Sequence, residues 1–215
     1  MRCRLLTTAL AATTFLSFPL GAQQFPSLAF TRSNTARYFF GLALDNTSLS
    51  GNATNGRTYS GGGLSGDLGY GFTPEFAAFI DGSAAILRRG GTGRGYAAHV
   101  DIGLRYHFAN PARRFVPFAE LALTQRALIF VNILQPQSQT DIEAGSGTIS
   151  GVALTVGAGG LYFVHPRWAL RGGARFTTGS IEIATAENGG ETVVPLNAQS
   201  VRFSLGVSWF RDLGP

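Results

Sequence analysis

The sequence predicts an all-β fold: a closed, up-and-down antiparallel transmembrane β-barrel of about eight strands, placed behind a cleavable leader. Three observations predict it. Apolar residues recur at every second position in eight stretches, the links between those stretches alternate between short and long, and aromatic residues gather towards one end of the stretches.

Residues 1–22 read as the leader. Arg2 and Arg4 supply a positive start, Leu5–Leu20 is apolar or small, and Leu20-Gly21-Ala22 is a cleavage site of the small-residue type. Thr7, Thr8, Thr13, Thr14 and Ser17 interrupt the apolar core. It is shorter than the ~20 residues of a membrane helix, which favours cleavage over anchoring. The mature chain then begins near Gln23, with a segment at 23–35, the barrel at 36–210 and a tail at 211–215.

The alternation is clearest over 99–108, where Val100, Ile102, Leu104, Tyr106 and Phe108 share one face and His99, Asp101, Gly103, Arg105 and His107 the other. A helix would mix these sets. The first strand (about 36–45) sets Tyr38, Phe40, Leu42 and Leu44 on one face. The second (about 61–72) sets Leu64, Leu68, Tyr70 and Phe72 against Ser65, Asp67, Gly69 and Gly71. The third (about 76–87) opposes Phe76, Ala78, Ile80 and Ile86 to Asp81 and Ser83, and the fifth (about 115–127) opposes Ala119, Leu121 and Leu123 to Glu120, Thr124 and Arg126. In the sixth (about 149–163), Val152, Leu154, Val156 and Tyr162 stand against Thr155, Gly157 and Gly159. In the seventh (about 168–179), Leu170, Ala174 and Phe176 stand against Arg171, Gly173 and Arg175. The eighth (about 200–210) carries Val201, Phe203, Leu205, Val207 and Trp209 against Arg202, Ser204, Gly206 and Ser208. Such lengths match the ~9–11 residues with which a tilted strand crosses hydrocarbon.

Short Pro-bearing links at 73–75, 109–114 and 164–167 alternate with longer polar ones at 46–60, 88–95, 128–148 and 181–199. Short periplasmic turns and long outer loops would put both mature termini in the periplasm. Tyr38, Phe40, Tyr70, Phe72, Phe76, Tyr106, Phe108, Phe115, Tyr162, Phe163, Trp168, Trp209 and Phe210 would form the periplasmic girdle, and Tyr59, Tyr96 and Phe176 a thinner outer one.

Charge is sparse, at 13% of residues, which suits lipid-crossing strands better than a soluble surface. The formal net charge of +5 falls to +3 without Arg2 and Arg4, and every basic residue is a scattered arginine, so nucleic acid is not an expected partner. The lone cysteine, Cys3, lies in the leader, so disulfides and thiolate chemistry are excluded from the mature chain.

The inward faces collect Asp67, Asp81, Asp101 and Glu120 with Arg105, Arg126, Arg171, Arg175 and Arg202. An eight-stranded barrel is just wide enough for side chains to fill it, so these charges are expected to form a salt-bridged lumenal network. A narrow ion or proton path is the competing reading. Arg88, Arg89 and Arg94, around Gly91-Thr92-Gly93-Arg94-Gly95, lie at the outer rim, where lipopolysaccharide phosphates would meet them. The glycine loop lacks the Gly-Lys-Ser/Thr ending and following helix of a phosphate loop. The segments 128–134 and 192–196 are too apolar for ordinary solvated loops. They suggest projecting hairpins for adhesion by strand addition, or a small apolar pocket at the barrel mouth.

No metal site or cofactor is expected, since His99, His107 and His165 lack paired ligand spacing. Nor is an enzyme expected, because no nucleophile and base share a strand face. A soluble calycin-like barrel is the competing fold; its charged face would point outward and its apolar face inward.

The last strand, Val201-Arg202-Phe203-Ser204-Leu205-Gly206-Val207-Ser208-Trp209-Phe210, resembles the terminal strand of small outer-membrane barrels, which alternates apolar residues and ends on an aromatic. The whole mature chain is similar to the OmpA/OmpX/OmpW-like eight-stranded superfamily. That resemblance implies an outer-membrane location, contact with lipid and lipopolysaccharide, and a monomer. It also implies that Phe203, Leu205, Gly206, Trp209 and Phe210 act as an assembly signal for the barrel assembly machinery, with five residues, Arg211–Pro215, following the aromatic. It further implies a structural or surface-interaction role, with OmpW-like uptake of a hydrophobic small molecule as the alternative. Lipid A-modifying barrels carry a His-x-Ser pair on one face; here His99 is followed two places on by Asp101.

Overall fold

Eight strands pair in chain order and the last closes on the first: β1 (Arg37–Gly51), β2 (Tyr59–Gly71), β3 (Phe76–Arg88), β4 (Arg94–His107), β5 (Phe115–Val131), β6 (Thr148–His165), β7 (Trp168–Glu187) and β8 (Gly190–Phe210). All pairings are antiparallel, and the β1–β8 seam runs from Phe39↔Phe210 to Gly51↔Ala198. The computed structural model describes residues 35–51, 58–88, 94–108, 114–131, 148–187 and 190–211. The leader at 1–22, most of the segment at 23–35, Arg89 and residues 212–215 lie outside them.

Period-two alternation sends one set of side chains out and the other into the lumen. Leu205 is 70% exposed and Leu44 67%, whereas Asp101 and Arg105 are fully buried. The apolar face is therefore the outer wall and the charged face the inner one, the reverse of a calycin. A stable barrel with Leu, Ile and Val outside requires lipid around it.

Both described termini and the three short turns share one end, called here the turn end; the four remaining connections share the hairpin end. Around the turn end, ring pairs on the outside link neighbouring strands, Tyr38–Tyr70 and Phe76–Tyr106 at 4.9 Å, and Tyr106 packs edge-on against Phe108, just past the end of its own strand, at 5.0 Å. Two residues expected in this girdle are elsewhere. Phe163 and Phe210 are each 2% exposed and point inward, because they occupy lumen-facing positions in β6 and β8. With Phe39, Phe79 and Phe118 they form an apolar floor across the turn end of the lumen. A second apolar layer, of Leu49, Tyr59, Leu87 and Leu128 with Ala85, Ala97 and Ala198, spans the lumen near the hairpin end.

Five bulky rings can share so narrow a lumen only if neighbouring positions are small. A Cβ at Gly69 would strike Cζ and Cε1 of Phe39, and one at Gly159 would strike Phe118. Gly69→Val is accordingly expected to lower the folded fraction in detergent by a large margin, read as loss of the heat-modifiable band. An unchanged band would show that Phe39 can move aside.

The strands run longer than the alternation alone indicates. The stretch 181–199, expected as a loop, is strand: β7 pairs with β8 from Trp168↔Trp209 to Glu187↔Gly190. Ile181, Ile183, Thr185, Thr192, Val193 and Val194 are β-branched and favour extended pairing. Asn188-Gly189, left between the paired ends, is the dipeptide type that closes tight hairpins. β6 pairs with β7 only as far as Glu182, and β1 with β8 only as far as Ala198. Among the described residues, Ile183–Glu187 and Gly190–Val194 thus pair as a two-stranded ribbon beyond the closed barrel, about 16 Å long at ~3.3 Å per residue. Of the segment 128–134, Leu128–Val131 belongs to β5 and the rest lies outside the described residues.

Candidate functional site

The register decides which charges become neighbours. Asp67, Asp81 and Asp101 are successive cross-strand partners on β2, β3 and β4, so three carboxylates stand in a row on one wall. Arg175 and Arg202 are likewise partners on β7 and β8, and Arg171 lies two inward positions turn-ward of Arg175. Like charges side by side are destabilising by themselves. Barrel closure resolves this by facing the acidic wall towards the basic one.

The ion pairs across the lumen are short. Arg171 Nη1 lies 2.5 Å from Asp67 Oδ2, and Arg202 Nη2 donates to Asp101 Oδ2 at 2.6 Å. Arg175 reaches three carboxylates: Asp81 at 2.7 Å, Glu120 at 2.8 Å and Asp101 at 3.3 Å. Arg105 lies on the acidic side of the lumen and donates from Nε to Glu120 at 2.7 Å and from Nη2 to Asp67 at 3.0 Å. Its guanidinium also lies 4.9–5.0 Å from the ring centres of Phe39, Phe79 and Phe118. That arrangement joins the charged layer to the apolar floor through cation–π contact. A gap of about 10 Å³ beside Glu120, Arg171 and Arg175 has room for roughly one water.

Eight of the nine expected network residues are ion-paired in this layer. Arg126 is not among them: it is fully buried but donates to the backbone carbonyls of Ala198 and Gly179, each at 3.1 Å. Its position in β5 is three inward steps hairpin-ward of Glu120, above the carboxylate row. Asp45, which the sequence reading passed over, is a further inward carboxylate and accepts a hydrogen bond from Ser65 at 3.1 Å. A tier of hydroxyls lies at similar depth, with Thr124, Thr155 and Thr177 linked at 2.5 and 2.7 Å.

The histidines fall apart spatially. His99 and His107 face the lumen on β4 and are buried, whereas His165 is exposed at the β6–β7 turn, where its Nδ1 accepts from the Arg167 backbone N–H. Cross-strand packing brings Ser200 Oγ to 3.5 Å from His99 Nε2, a serine–histidine pair that no strand-face motif displays. The pair is 1–2% exposed and lies beneath the hairpin-end apolar layer. Among the described residues, no three His, Cys, Asp or Glu side chains are grouped to hold a metal ion.

The rim arginines divide. Arg88 ends β3 on the outer face and is exposed, Arg94 opens β4 as its register partner, and Arg89 lies outside the described residues. Of the proposed assembly signal, Phe203 and Leu205 face outward, Gly206 faces inward, Trp209 is half-buried, and Phe210 is inside.

Comparison with known proteins agrees with this architecture. Residues 8–209 match the family model described as the outer membrane protein beta-barrel domain. Among solved structures, Neisserial surface protein A superposes with a TM-score of 0.60 at 15% identity, covering 81% of this chain and 97% of its own. The outer membrane protein AlkL in lipid bilayers gives 0.54 at 15% identity, with 90% and 98% covered. OprG from Pseudomonas aeruginosa gives 0.52 at 10% identity, with 81% and 95% covered. At such identities the likeness is one of fold. A search of curated protein sequences finds no match to the chain.

Proposed function

Since the chain belongs to the outer membrane protein beta-barrel domain family and so resides in the outer membrane, we propose that it is a non-conducting barrel whose role is structural or surface-interactive, exercised through its long hairpins. One observation carries this reading: the salt-bridged layer lies between two apolar layers that cross the lumen. An ion entering from either end would have to leave water for a hydrocarbon-like plug, which costs many kcal/mol.

In this reading the leader at 1–22 is removed, both mature termini are periplasmic, and the hairpin end faces outward, following the rule of short periplasmic turns. The β7–β8 ribbon then projects from the cell with edges that no strand among the described residues pairs, a template for strand addition. Pro195 removes one donor from the β8 edge, so the β7 edge, Ile183–Glu187, is the better docking side. The barrel works as a monomer with no enzymatic step, cofactor or nucleic-acid partner; its surroundings are lipid, and the assembly machinery inserts it.

Planar-bilayer recording on the refolded chain tests the seal. The expected trace is closed at moderate voltage, and liposomes containing the protein do not swell in sugars. Steady conductance or swelling would overturn the reading in favour of uptake through the barrel.

A further inference from the structure

The outer wall is coated largely by big apolar side chains, but near the hairpin end it carries a patch of small ones. In the row Leu64↔Ala84↔Ala98↔Ala127, three alanines lie side by side on β3, β4 and β5. Gly62, Ile86 and Tyr96 lie in the row hairpin-ward of it, and Gly66 and Gly82 in the row turn-ward. A Cβ added at Gly82 would meet nothing within 4 Å. The result is a furrow of about 290 Å³ lined by Leu64, Ala84, Ile86, Tyr96, Ala98 and the Gly62–Gly63 backbone. That volume is at the small end of the ~300–1,000 Å³ of ordinary ligand pockets.

The furrow opens on the face that meets lipid, so its occupant must come from the bilayer. Arg88 stands on that same outer face, two residues beyond Ile86 and about 7 Å further along β3 at ~3.3 Å per residue. It is exposed and makes no ion pair among the described residues. An apolar slot with a cation at the membrane–water boundary above it is complementary to an anionic amphiphile: acyl chain in the slot, phosphate at Arg88.

We propose that this furrow is a binding site for one lipopolysaccharide molecule, taking a lipid A acyl chain between Leu64 and Tyr96 and a lipid A phosphate at Arg88. The choice of lipopolysaccharide over phospholipid rests on the outward orientation of the hairpin end given under the proposed function. Ordering one acyl chain in a preformed slot exchanges lipid for protein contact at little hydrophobic gain, so specificity comes from shape and from the phosphate.

The full chain, extracted from outer membranes in a mild detergent, is examined by native mass spectrometry for bound lipid A. The wild type is expected to retain one lipid A per barrel. Filling the slot with Ala84→Leu and Ala98→Leu together is expected to reduce retention at least tenfold, and Arg88→Glu about fivefold or more, with the heat-modifiable band unchanged in both. Retention equal to wild type in the filled variant overturns the proposal, as does a wild type that carries no lipid A, or an Ala98→Cys variant that crosslinks to a second copy of itself. Labelling of Asn197→Cys by a membrane-impermeant maleimide on intact cells separates the two readings. An unlabelled cysteine in a folded barrel overturns the orientation, whereas a labelled one with unchanged lipid A retention overturns the furrow alone.

Discussion

Arg175→Ala is expected to lower the unfolding free energy in detergent by about 3–5 kcal/mol, the cost of removing one partner from a buried ion pair. The size follows from who is left alone. Asp101 keeps Arg202 at 2.6 Å and Glu120 keeps Arg105 at 2.7 Å, but the next cation to Asp81 is Arg202 at 3.9 Å. Asp81 would then lie between Asp67 and Asp101 with only Arg202, at 3.9 Å and already paired with Asp101, to offset its charge, held there by the β2–β3–β4 register. The backbone cannot relieve this without breaking the sheet. Asp81→Asn in the Arg175→Ala background should recover most of the loss, because it removes the uncompensated charge and leaves a group able to hydrogen-bond. Urea titrations followed by the fluorescence of Trp168 and Trp209 measure both variants. A single variant that behaves like the exposed Arg211→Ala would mean that the walls are not held together by these pairs.

The parity of the strands was legible because lipid forces one face to be uniformly apolar, and the polar residues at alternate positions stand out against it. Asp67, Asp81, Asp101, Glu120 and five arginines could be read as inward on that ground alone. Who pairs with whom could not. It depends on strand tilt and stagger around the closed barrel, and Arg126 shows the consequence: an inward arginine that ends on the carbonyls of Gly179 and Ala198. Asp45 was missed because the first strand was ended at its own position, where a carboxylate reads as the start of a loop. The ribbon was missed for a related reason, since Gly, Asn and Glu near its tip resemble loop composition while β-branched residues and Asn188-Gly189 carry the hairpin signal. Phe39, Phe79 and Phe118 were overlooked although parity places them, Phe79 two before Asp81 and Phe118 two before Glu120. Aromatics at strand ends suggest an interfacial girdle so strongly that rings on the inner face escape notice. In this barrel the two uses of aromatics share one level, the girdle outside and the floor inside.

The floor makes its own demand on the end of the last strand. Phe210 is the final residue of β8 and pairs with Phe39 across the closing seam; its ring centre is 5.8 Å from that of Phe39 and 5.2 Å from that of Phe163. Its backbone N–H also donates to the Arg167 carbonyl at 2.8 Å, tying the seam to the β6–β7 turn. Phe210→Ala removes a buried ring from the layer that closes the barrel, and a loss of about 3–5 kcal/mol is expected, as for other buried phenylalanines. Trp209→Ala, at a half-buried position on the opposite face, should cost clearly less. Folding into detergent from urea, with no assembly machinery present, isolates this packing effect; the amount of folded protein reaching the outer membrane of cells adds whatever recognition the terminal strand requires. If Phe210→Ala and Trp209→Ala were equally mild in the refolding assay and equally severe in cells, the terminal aromatic would matter as a signal and not as part of the floor. A large defect confined to Phe210→Ala in both settings is what the buried ring predicts. Phe210→Leu, which keeps most of the apolar volume, should then recover stability more fully than it recovers insertion.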